Sequence, residues 1–229
     1  MSRPQNILFA KDGVYEKITI YDVEYSGRPT RFLIQDRSVS AAMFLDSEDL
    51  ALEYSKYFIL YKLFKPDVRE ALVLGGGGYS IPKALLQELP QANIDVAEIE
   101  PSLFDLARKF FRVPDGPRLK NFVEDGRHLL SSREKIYDFI FGDAYYSLYS
   151  IPAHLTTREF FELVRKRLSE DGVFIGNFIG DLKNRKPSLM FSEMRTFRRV
   201  FPQSLFFATD SPSSLDVQNI IFVGWKSDA

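Results

Sequence analysis

The sequence predicts an α/β fold in which a mostly parallel sheet has helices on both faces. The apolar segment 71–74 runs directly into four glycines at 75–78, and strand-like and helix-like segments alternate from there on. Such alternation is typical of parallel sheets with right-handed crossovers, which bind ligands outside the carboxyl ends of their strands. A two-residue apolar period over residues 7–45 predicts a second, small antiparallel sheet before this unit.

The composition limits the classes of protein and partner. The chain has 229 residues, with 30 Lys and Arg against 31 Asp and Glu, and it has no cysteine. Balanced charge provides no overall field for nucleic acid or an anionic membrane, and the lack of cysteine excludes disulfides and thiolate metal sites. No apolar run is long enough to span a bilayer, so we expect a cytoplasmic protein. His128 and His154 have no second ligand at helical spacing, and we assign no metal.

The amino-terminal part, residues 1–46, is predicted to be a β-hairpin subdomain. Its predicted strands are 7–9, 17–21 and 31–34. The Ser-Gly-Arg-Pro sequence at 26–29 has the residues of a turn between the second and third strands. From Ser47 the apolar period becomes that of an amphipathic helix, which ends before Pro66 and leads into the second unit, residues 47–229.

The alternation after the glycines predicts the elements of that second unit. They are helix 81–89, strand 94–98, helix 101–111, strand 121–123, strand 137–141, helix 156–172, strand 173–177 and helix 192–200. Thr156 and Glu159 have the spacing of a capping box at the start of their helix. Segments 204–208 and 219–224 are predicted to pair as two closing strands.

Three carboxylates follow successive predicted parallel strands. Glu98 lies about twenty residues beyond the glycines, the spacing at which an acid accepts hydrogen bonds from both ribose hydroxyls. Asp125, which precedes Gly126, could accept from an exocyclic amine such as that of adenine or could belong to an Asp-Gly turn. Asp143 follows an apolar strand at the mouth of the crevice. Partial desolvation there suits a carboxylate that takes a proton from an amine or stabilises a cation.

The glycine turn alone leaves the class of ligand open. Ser80 replaces the third glycine of a nicotinamide-binding turn, and no Lys-Ser or Lys-Thr pair follows, which argues against a triphosphate-binding loop. Tyr145, Tyr146 and Tyr149 come soon after Asp143. Their rings could face a sulfonium or ammonium by cation–π attraction or could pack as a lid.

Five motifs between residues 71 and 177 resemble the spermidine synthase (polyamine aminopropyltransferase) family, which has the class I S-adenosylmethionine (AdoMet)-dependent methyltransferase fold. The motifs are Val73-Leu74-Gly75-Gly76-Gly77-Gly78, Val96-Ala97-Glu98-Ile99-Glu100-Pro101, Glu124-Asp125-Gly126-Arg127, Tyr137-Asp138-Phe139-Ile140-Phe141-Gly142-Asp143 and Leu155-Thr156-Thr157-Arg158-Glu159-Phe160-Phe161. Their order and spacing match, and the β-hairpin unit and linking helix fit the layout of the family. The resemblance therefore covers most of the chain.

The resemblance implies aminopropyl transfer from decarboxylated AdoMet to an amine acceptor, with release of methylthioadenosine, by a homodimer. Asp143 would be the catalytic residue that orients or deprotonates the amine. From their positions in the sequence, Tyr145 and Tyr146 are assigned to the substrate site or to a lid over it. The donor, decarboxylated AdoMet or AdoMet itself, would contact eight residues. These are Gly75, Gly76, Gly77, Gly78, Glu98, Ile99, Asp125 and Gly126.

Three features depart from the pattern of the family. The family has an Asp where Gly78 stands, and a second Asp followed by Pro where Tyr146 and Ser147 stand. Its Tyr-His-Glu triplet is missing from the linking helix, where residues 54–56 read Tyr-Ser-Lys. The nucleoside half is thus kept while the polyamine half is eroded. Two alternatives therefore stay open: an AdoMet-dependent methyltransferase, favoured by the loss of the donor-end Asp, and a catalytically silent nucleoside-binding homologue.

Overall fold

The smaller of two sheets is antiparallel and has four strands. A computed structural model describes residues 6–145, 151–183 and 188–226. The strands of this sheet, in their order across it, are β1 (Asn6–Asp12), β2 (Lys17–Tyr25), β3 (Arg28–Gln35) and β4 (Ser38–Phe44). The predicted antiparallel sheet is confirmed, but β4 was not predicted. Residues 41–44 are all buried, because β4 is covered on both faces, and it therefore lacks the alternation that marks a half-buried strand.

The larger sheet has seven strands. They are β5 (Glu70–Leu74), β6 (Asn93–Ala97), β7 (Leu119–Phe122), β8 (Tyr137–Gly142), β9 (Leu168–Gly180), β10 (Ser204–Ala208) and β11 (Gln218–Trp225). Their order across the sheet is β10-β11-β9-β8-β5-β6-β7. Strands β5 to β9 are parallel, whereas β11 is antiparallel to β9 and β10 to β11. This confirms the predicted mostly parallel sheet with antiparallel closing strands. The strand order reverses beside β5, where such sheets bind ligands.

The helices of the larger unit differ from the prediction at two places. They are α1 (Ser80–Glu88), α2 (Leu103–Phe110), α3 (Gly126–Ser132), α4 (Arg158–Arg167) and α5 (Leu189–Val200). Helix α3 was missed, because it has seven residues and begins where an Asp-Gly turn was the alternative. Helix α4 is capped by Thr157, whose hydroxyl accepts from the Phe160 N–H, so the capping box predicted at Thr156 is displaced by one residue. The helix ends at Arg167 because Leu168 already pairs with Tyr137 as the start of β9.

The segment that links the two sheets is a 3-10 helix, Glu53–Leu63, and not the predicted amphipathic α-helix. Its buried side chains Ser55, Phe58 and Tyr61 are three residues apart, which is the 3-10 period. Leu63, assigned to the buried face by the α-helical period, is 75% exposed. The first turn of this helix lies beside the carboxyl end of β8, since the hydroxyl of Tyr54 reaches Asp143.

The two sheets share an apolar core. Ile20 and Leu33 of the small sheet belong to the same buried cluster as Val73 and Val96 of the large sheet. The predicted domain boundary at residues 46–47 stays a prediction, since the sheets are distinct while the core is continuous. In the described part of the chain, no helix is long and apolar enough to cross a membrane.

Candidate active site

The carboxyl ends of β5, β6 and β8 bring three of the predicted residues together. The N–H of Gly75 donates to the carbonyl of Ala97 at 2.9 Å, and the N–H of Asp143 donates to the carbonyl of Leu74 at 2.8 Å. These bonds join the end of β5 to the ends of both neighbouring strands. The glycine turn, Glu98 and Asp143 therefore lie side by side at one edge of the sheet.

Gly75 is required where the turn passes Asp143. Its φ is +95°, and a Cβ at this position would lie 2.4 Å from the carbonyl oxygen of Asp143. Any other residue would be strained in its backbone and would collide with its neighbour. The glycine thus allows the turn to contact the main chain of the predicted catalytic residue.

Glu98 is held by main-chain donors at the glycine turn. Its Oε2 accepts from the N–H groups of Gly76 at 2.8 Å and Gly77 at 3.1 Å, and its Oε1 accepts from the N–H of Glu100 at 2.8 Å. Burial raises the pKa of this carboxyl, which is 6% exposed. The sequence did not predict that Glu98 fixes the turn itself. Each carboxylate oxygen has further acceptor capacity, so the ribose role stays a compatible prediction.

Ile99 and Glu100 face different surroundings. The side chain of Ile99 is 41% exposed between two buried glutamates, and it provides an apolar surface next to Glu98. Glu100 binds the small sheet, since its Oε2 accepts from the N–H of Val14 at 2.6 Å. Its Oε1 accepts from the hydroxyl of Ser102 at 2.8 Å, before α2. Glu100 therefore joins the β1–β2 turn to the strand end that carries Glu98 and Ile99.

Asp125 is the N-cap of α3. Its Oδ1 accepts from the N–H of His128 at 3.0 Å, and its Oδ2 lies 2.8 Å from Nε2 of His154. Burial opposes ionisation, but the bonds from His154 and His128 are stronger in sum and lower the pKa of Asp125. Gly126 packs closely beneath β5, because a Cβ there would lie 3.0 Å from Cδ2 of Leu74. An adenine amine would therefore have to bind a carboxylate that already caps α3.

Asp143 has two side-chain donors, one for each carboxylate oxygen. The hydroxyl of Tyr54 donates to Oδ2 at 3.0 Å, and Nδ2 of Asn177 donates to Oδ1 at 2.8 Å. Desolvation raises the pKa of Asp143 to about 7, although both hydrogen bonds lower it. A carboxyl with a pKa near neutrality can accept and release a proton under physiological conditions.

The sequence prediction missed Tyr54 and Asn177 as site residues. Tyr54 begins the Tyr-Ser-Lys segment that was interpreted as lacking the triplet of the family, yet its hydroxyl reaches Asp143. Asn177 is a buried amide in the apolar β9, a signal that was available from the sequence. Nδ2 of Asn219 donates to Oδ1 of Asn177 at 2.8 Å, and this bond directs the Asn177 amino group to Asp143.

Tyr145 forms part of the wall next to Asp143. Its hydroxyl donates to the main-chain carbonyl of Asn177 at 2.8 Å, and burial raises the pKa of its phenol well above the ordinary value. The hydroxyl is thereby fixed, which favours a packing role for this ring. Tyr146 and Tyr149 lie outside the described residues.

A cavity between the glycine turn, β4 and the linking 3-10 helix leads to Asp143. Four of the residues that line it carry a hydroxyl group, namely Ser40, Tyr54, Ser55 and Ser80. Among the described residues around this cavity, Asp143 is the only charged one, and no Lys or Arg is present. The cavity has a volume of about 20 Å³, which is room for about one water molecule, and its described lining offers one carboxylate and no cationic side chain.

Gly78 lies against β4 and α2 at the same cavity. A Cβ on Gly78 would lie 2.5 Å from Cβ of Ala41 and 3.3 Å from Cδ1 of Phe111. The aspartate that the resemblance leads one to expect here would collide with Ala41. The space that an aspartate side chain would need at Gly78 is therefore already occupied by Ala41 and Phe111.

The two histidines each lie beside a carboxylate. Nδ1 of His128 is 2.8 Å from Oε2 of Glu124, and His154 contacts Asp125 as described above. Within residues 6–145, 151–183 and 188–226, no group of three or more His, Cys, Asp or Glu side chains is arranged to hold a metal ion.

The amino-acid sequence matches one family model and many curated proteins. The model described as the spermine/spermidine synthase domain matches residues 58–228. A polyamine aminopropyltransferase from Vibrio vulnificus is 27% identical over 200 residues, which cover 85% of this chain and 65% of that protein. The chain thus spans a little under two thirds of the length of this relative.

Solved structures show the same fold. A probable spermidine synthase from Corynebacterium glutamicum has a TM-score of 0.82 at 23% identity, over 99% of this chain and 82% of that one. Human methyltransferase-like protein 13, solved in complex with SAH, has a TM-score of 0.63 at 25% identity, over 78% and 84%. A spermidine synthase in complex with the transition-state analogue AdoDATO has a TM-score of 0.77 at 18% identity, over 99% and 76%. The Rossmann-like methyltransferase fold is thereby confirmed.

Proposed function

The chain belongs to the spermine/spermidine synthase family, and we propose that it transfers an aminopropyl group from decarboxylated AdoMet to an amine acceptor. The observation that supports this most is the environment of Asp143. Its carboxylate is fixed by Tyr54 and Asn177 at the reversal of strand order, and it is the only charged group among the described residues around the adjoining cavity. This is a suitable position for the acceptor nitrogen.

The proposed step is a direct displacement. The acceptor nitrogen uses its lone pair to form a bond to the propyl carbon next to the sulfonium, the carbon–sulfur bond breaks, and its electron pair stays on sulfur as methylthioadenosine leaves. Asp143 takes the proton that the nitrogen loses, and Tyr54 and Asn177 hold both carboxylate oxygens in place. Most of the rate would come from alignment of the two reacting atoms, since the sulfonium is already a good leaving group.

The donor contacts are assigned to the strand ends next to Asp143. We propose that Glu98 accepts hydrogen bonds from the ribose, that Ile99 contacts the base, and that Asp125 with Gly126 borders the adenine amine. The exposed apolar surface of Ile99 next to the buried Glu98 supports this order. Gly75, Gly76, Gly77 and Gly78 would form the floor of the donor site.

The charge of the cavity supports the decarboxylated donor over AdoMet. The described lining has one carboxylate, Asp143, and no cationic side chain that would bind the carboxylate of a complete methionine tail. Calorimetric titration with each donor tests this choice. We expect decarboxylated AdoMet to bind more tightly, and tighter binding of AdoMet would contradict the assignment.

Methyl transfer is the second candidate function. It is supported by Gly78, which removes the donor-end Asp that would repel a methionine carboxylate. Chromatography of the nucleoside product after incubation with each donor and a panel of amines separates the candidates. Aminopropyl transfer yields methylthioadenosine, methyl transfer yields adenosylhomocysteine, and a silent homologue yields neither. We expect methylthioadenosine, and we expect Asp143→Asn to lower its rate of formation by about 10²- to 10⁴-fold.

We further propose that the protein acts in the cytoplasm as a homodimer, with a small amine as partner and without nucleic acid or membrane. The balanced charge supports the last two points, and the resemblance to the family supports the dimer. Light scattering coupled to size-exclusion chromatography tests the oligomeric state, for which a monomer would be the contradicting result.

A further inference from the structure

Tyr79 follows the glycine turn in a backbone conformation that suits glycine better than tyrosine. Its φ is +58° and its ψ is +27°, which is the left-handed region, and its side chain is fully buried. A bulky residue is strained there, and such strain persists only where surrounding contacts hold the residue in place. Although Tyr79 is the N-cap of α1, its side chain forms no cap hydrogen bond. Its other contacts must therefore account for a tyrosine at this position.

The ring of Tyr79 lies against the main chain of Gly76. A Cβ on Gly76 would lie 2.6 Å from Cε2 and from Cζ of this ring, so only glycine allows the ring to come this close. The N–H of Tyr79 also donates to the carbonyl of Gly76 at 2.7 Å and closes the turn. The N–H of Gly76 is in turn a donor to Oε2 of Glu98 at 2.8 Å. Gly76 is thus held by Tyr79 and itself holds Glu98.

The phenol of Tyr79 is fixed to a neighbouring strand. Its hydroxyl donates to Oδ1 of Asn121 at 2.6 Å. Asn121 belongs to β7 and pairs with Val96 of β6, the strand that Glu98 follows. The ring also packs on Phe104 of α2, with 5.2 Å between the ring centroids. Tyr79 therefore ties the glycine turn to β7 and to α2.

We propose that Tyr79 is a positioning residue for the donor. Its ring and its bond to Asn121 hold the glycine turn, so that Gly76 and Gly77 direct their N–H groups to Oε2 of Glu98 and fix this carboxylate for the ribose hydroxyls. Because Tyr79 is fully buried, it acts through the turn and not by contact with the ligand. This inference rests on the proposed contact between Glu98 and the ribose. Loss of the phenol hydroxyl should raise the KM for the donor and leave kcat unchanged.

The test compares two nucleosides in the variant Tyr79→Phe, which keeps the ring and removes the hydroxyl. Calorimetry measures the binding of methylthioadenosine and of its 2′,3′-dideoxy analogue, which lacks the ribose hydroxyls that Glu98 would bind. For methylthioadenosine, we expect the Kd of the variant to rise about three- to tenfold, since the charged hydrogen bond is misplaced and not removed. For the dideoxy analogue, the Kd should stay within about twofold of the wild-type value. General damage to the site would instead weaken the binding of both nucleosides equally.

The double variant Tyr79→Phe/Asn121→Leu separates positioning from stability. Tyr79→Phe leaves the Asn121 amide without its partner, whereas the double variant replaces both polar partners by apolar groups of similar shape, which can be nearly neutral for stability. We therefore expect the double variant to unfold thermally near the wild type, while its Kd for methylthioadenosine stays as high as in Tyr79→Phe. A return of this Kd to the wild-type value would overturn the proposal.

Tyr137→Phe is the matched control, because Tyr137 is a buried phenol at the amino end of β8 whose hydroxyl donates to Oδ2 of Asp95 at 2.9 Å. It should change neither Kd. Equal weakening of both nucleosides in Tyr79→Phe, or no weakening of either, would overturn the role of Tyr79. If the wild-type protein binds both nucleosides equally or binds neither, the ribose contact of Glu98 fails, and the role of Tyr79 fails with it. If the wild-type protein forms no methylthioadenosine with any amine, the proposed transfer fails, and the two Kd values still decide on Tyr79.

Discussion

The variant Tyr54→Phe tests how the protein sets the pKa of Asp143. The phenol donates to one carboxylate oxygen at 3.0 Å, while Asn177 donates to the other at 2.8 Å. A hydrogen bond to a charged group contributes about 1.5–3 kcal/mol, and one pKa unit corresponds to about 1.4 kcal/mol. Loss of the phenol donor should therefore raise the pKa of Asp143 from about 7 to roughly 8 or above.

The assay is the pH dependence of kcat/KM, measured by release of methylthioadenosine. In the proposed mechanism Asp143 is the unprotonated base, so activity should be lost as the pH falls through its pKa. The acidic limb of the wild-type profile should lie near pH 7, and that of Tyr54→Phe about one pH unit higher, with a similar plateau. Tyr57→Phe, on the same 3-10 helix but next to Phe207, should leave the profile unchanged. An acidic limb that stays in place or moves to lower pH in Tyr54→Phe would refute the reasoning.

Three further substitutions test other parts of the structure. Gly78→Asp should lower the stability by about 1–3 kcal/mol in thermal unfolding, because its Cβ would meet that of Ala41 at 2.5 Å, and Ala41→Gly in the same chain should restore part of the loss; a fully stable single variant would contradict this packing. Glu98→Gln should weaken binding of methylthioadenosine at least about tenfold in calorimetry, whereas unchanged affinity would contradict the ribose assignment. Folding raises the pKa of Glu193, which is buried on α5, from 4.5 to about 7. The folded state therefore binds this proton more tightly than the unfolded state does, and the protein loses stability as the pH rises from 4.5 to about 7. Glu193→Gln should therefore be more stable than the wild type by about 2–3 kcal/mol near pH 8 but not near pH 4 in urea unfolding, and a gain that does not depend on pH would count against an unpaired buried carboxylate.

The parts of the fold that were predictable from the sequence have strong local patterns. The central parallel strands of the large sheet were predicted because strands covered on both faces are continuous apolar segments. The glycine turn and the closing strands were predicted from the turn residues that bound the strands. Strand β4 lacks alternation, and α3 has only seven residues. The linking helix has the 3-10 form with Phe58 and Tyr61 buried in the core that the two sheets share. The spacing of apolar residues along the helix carries no information about this tertiary packing.

The site was predictable where a strand end alone places a side chain. Gly75, Glu98 and Asp143 follow neighbouring parallel strands, so the rule for strand ends was enough to bring them together. Tyr54 and Asn177 come from a linking helix and from a strand that the sequence did not connect with Asp143. Their proximity results from tertiary packing, for which local spacing gives no signal. A buried polar residue within an apolar segment, as at Asn177, is the one local clue that was available.

Mass spectrometry of the amine acceptor tests the central claim most directly. The protein is incubated with decarboxylated AdoMet and putrescine, and the acceptor and the nucleoside are measured in the same sample. Aminopropyl transfer predicts that the acceptor gains one aminopropyl group for each methylthioadenosine formed, and that Asp143→Asn suppresses both products together. An acceptor that gains only a methyl group when AdoMet is supplied, or an acceptor that stays unchanged with either donor, would contradict the account.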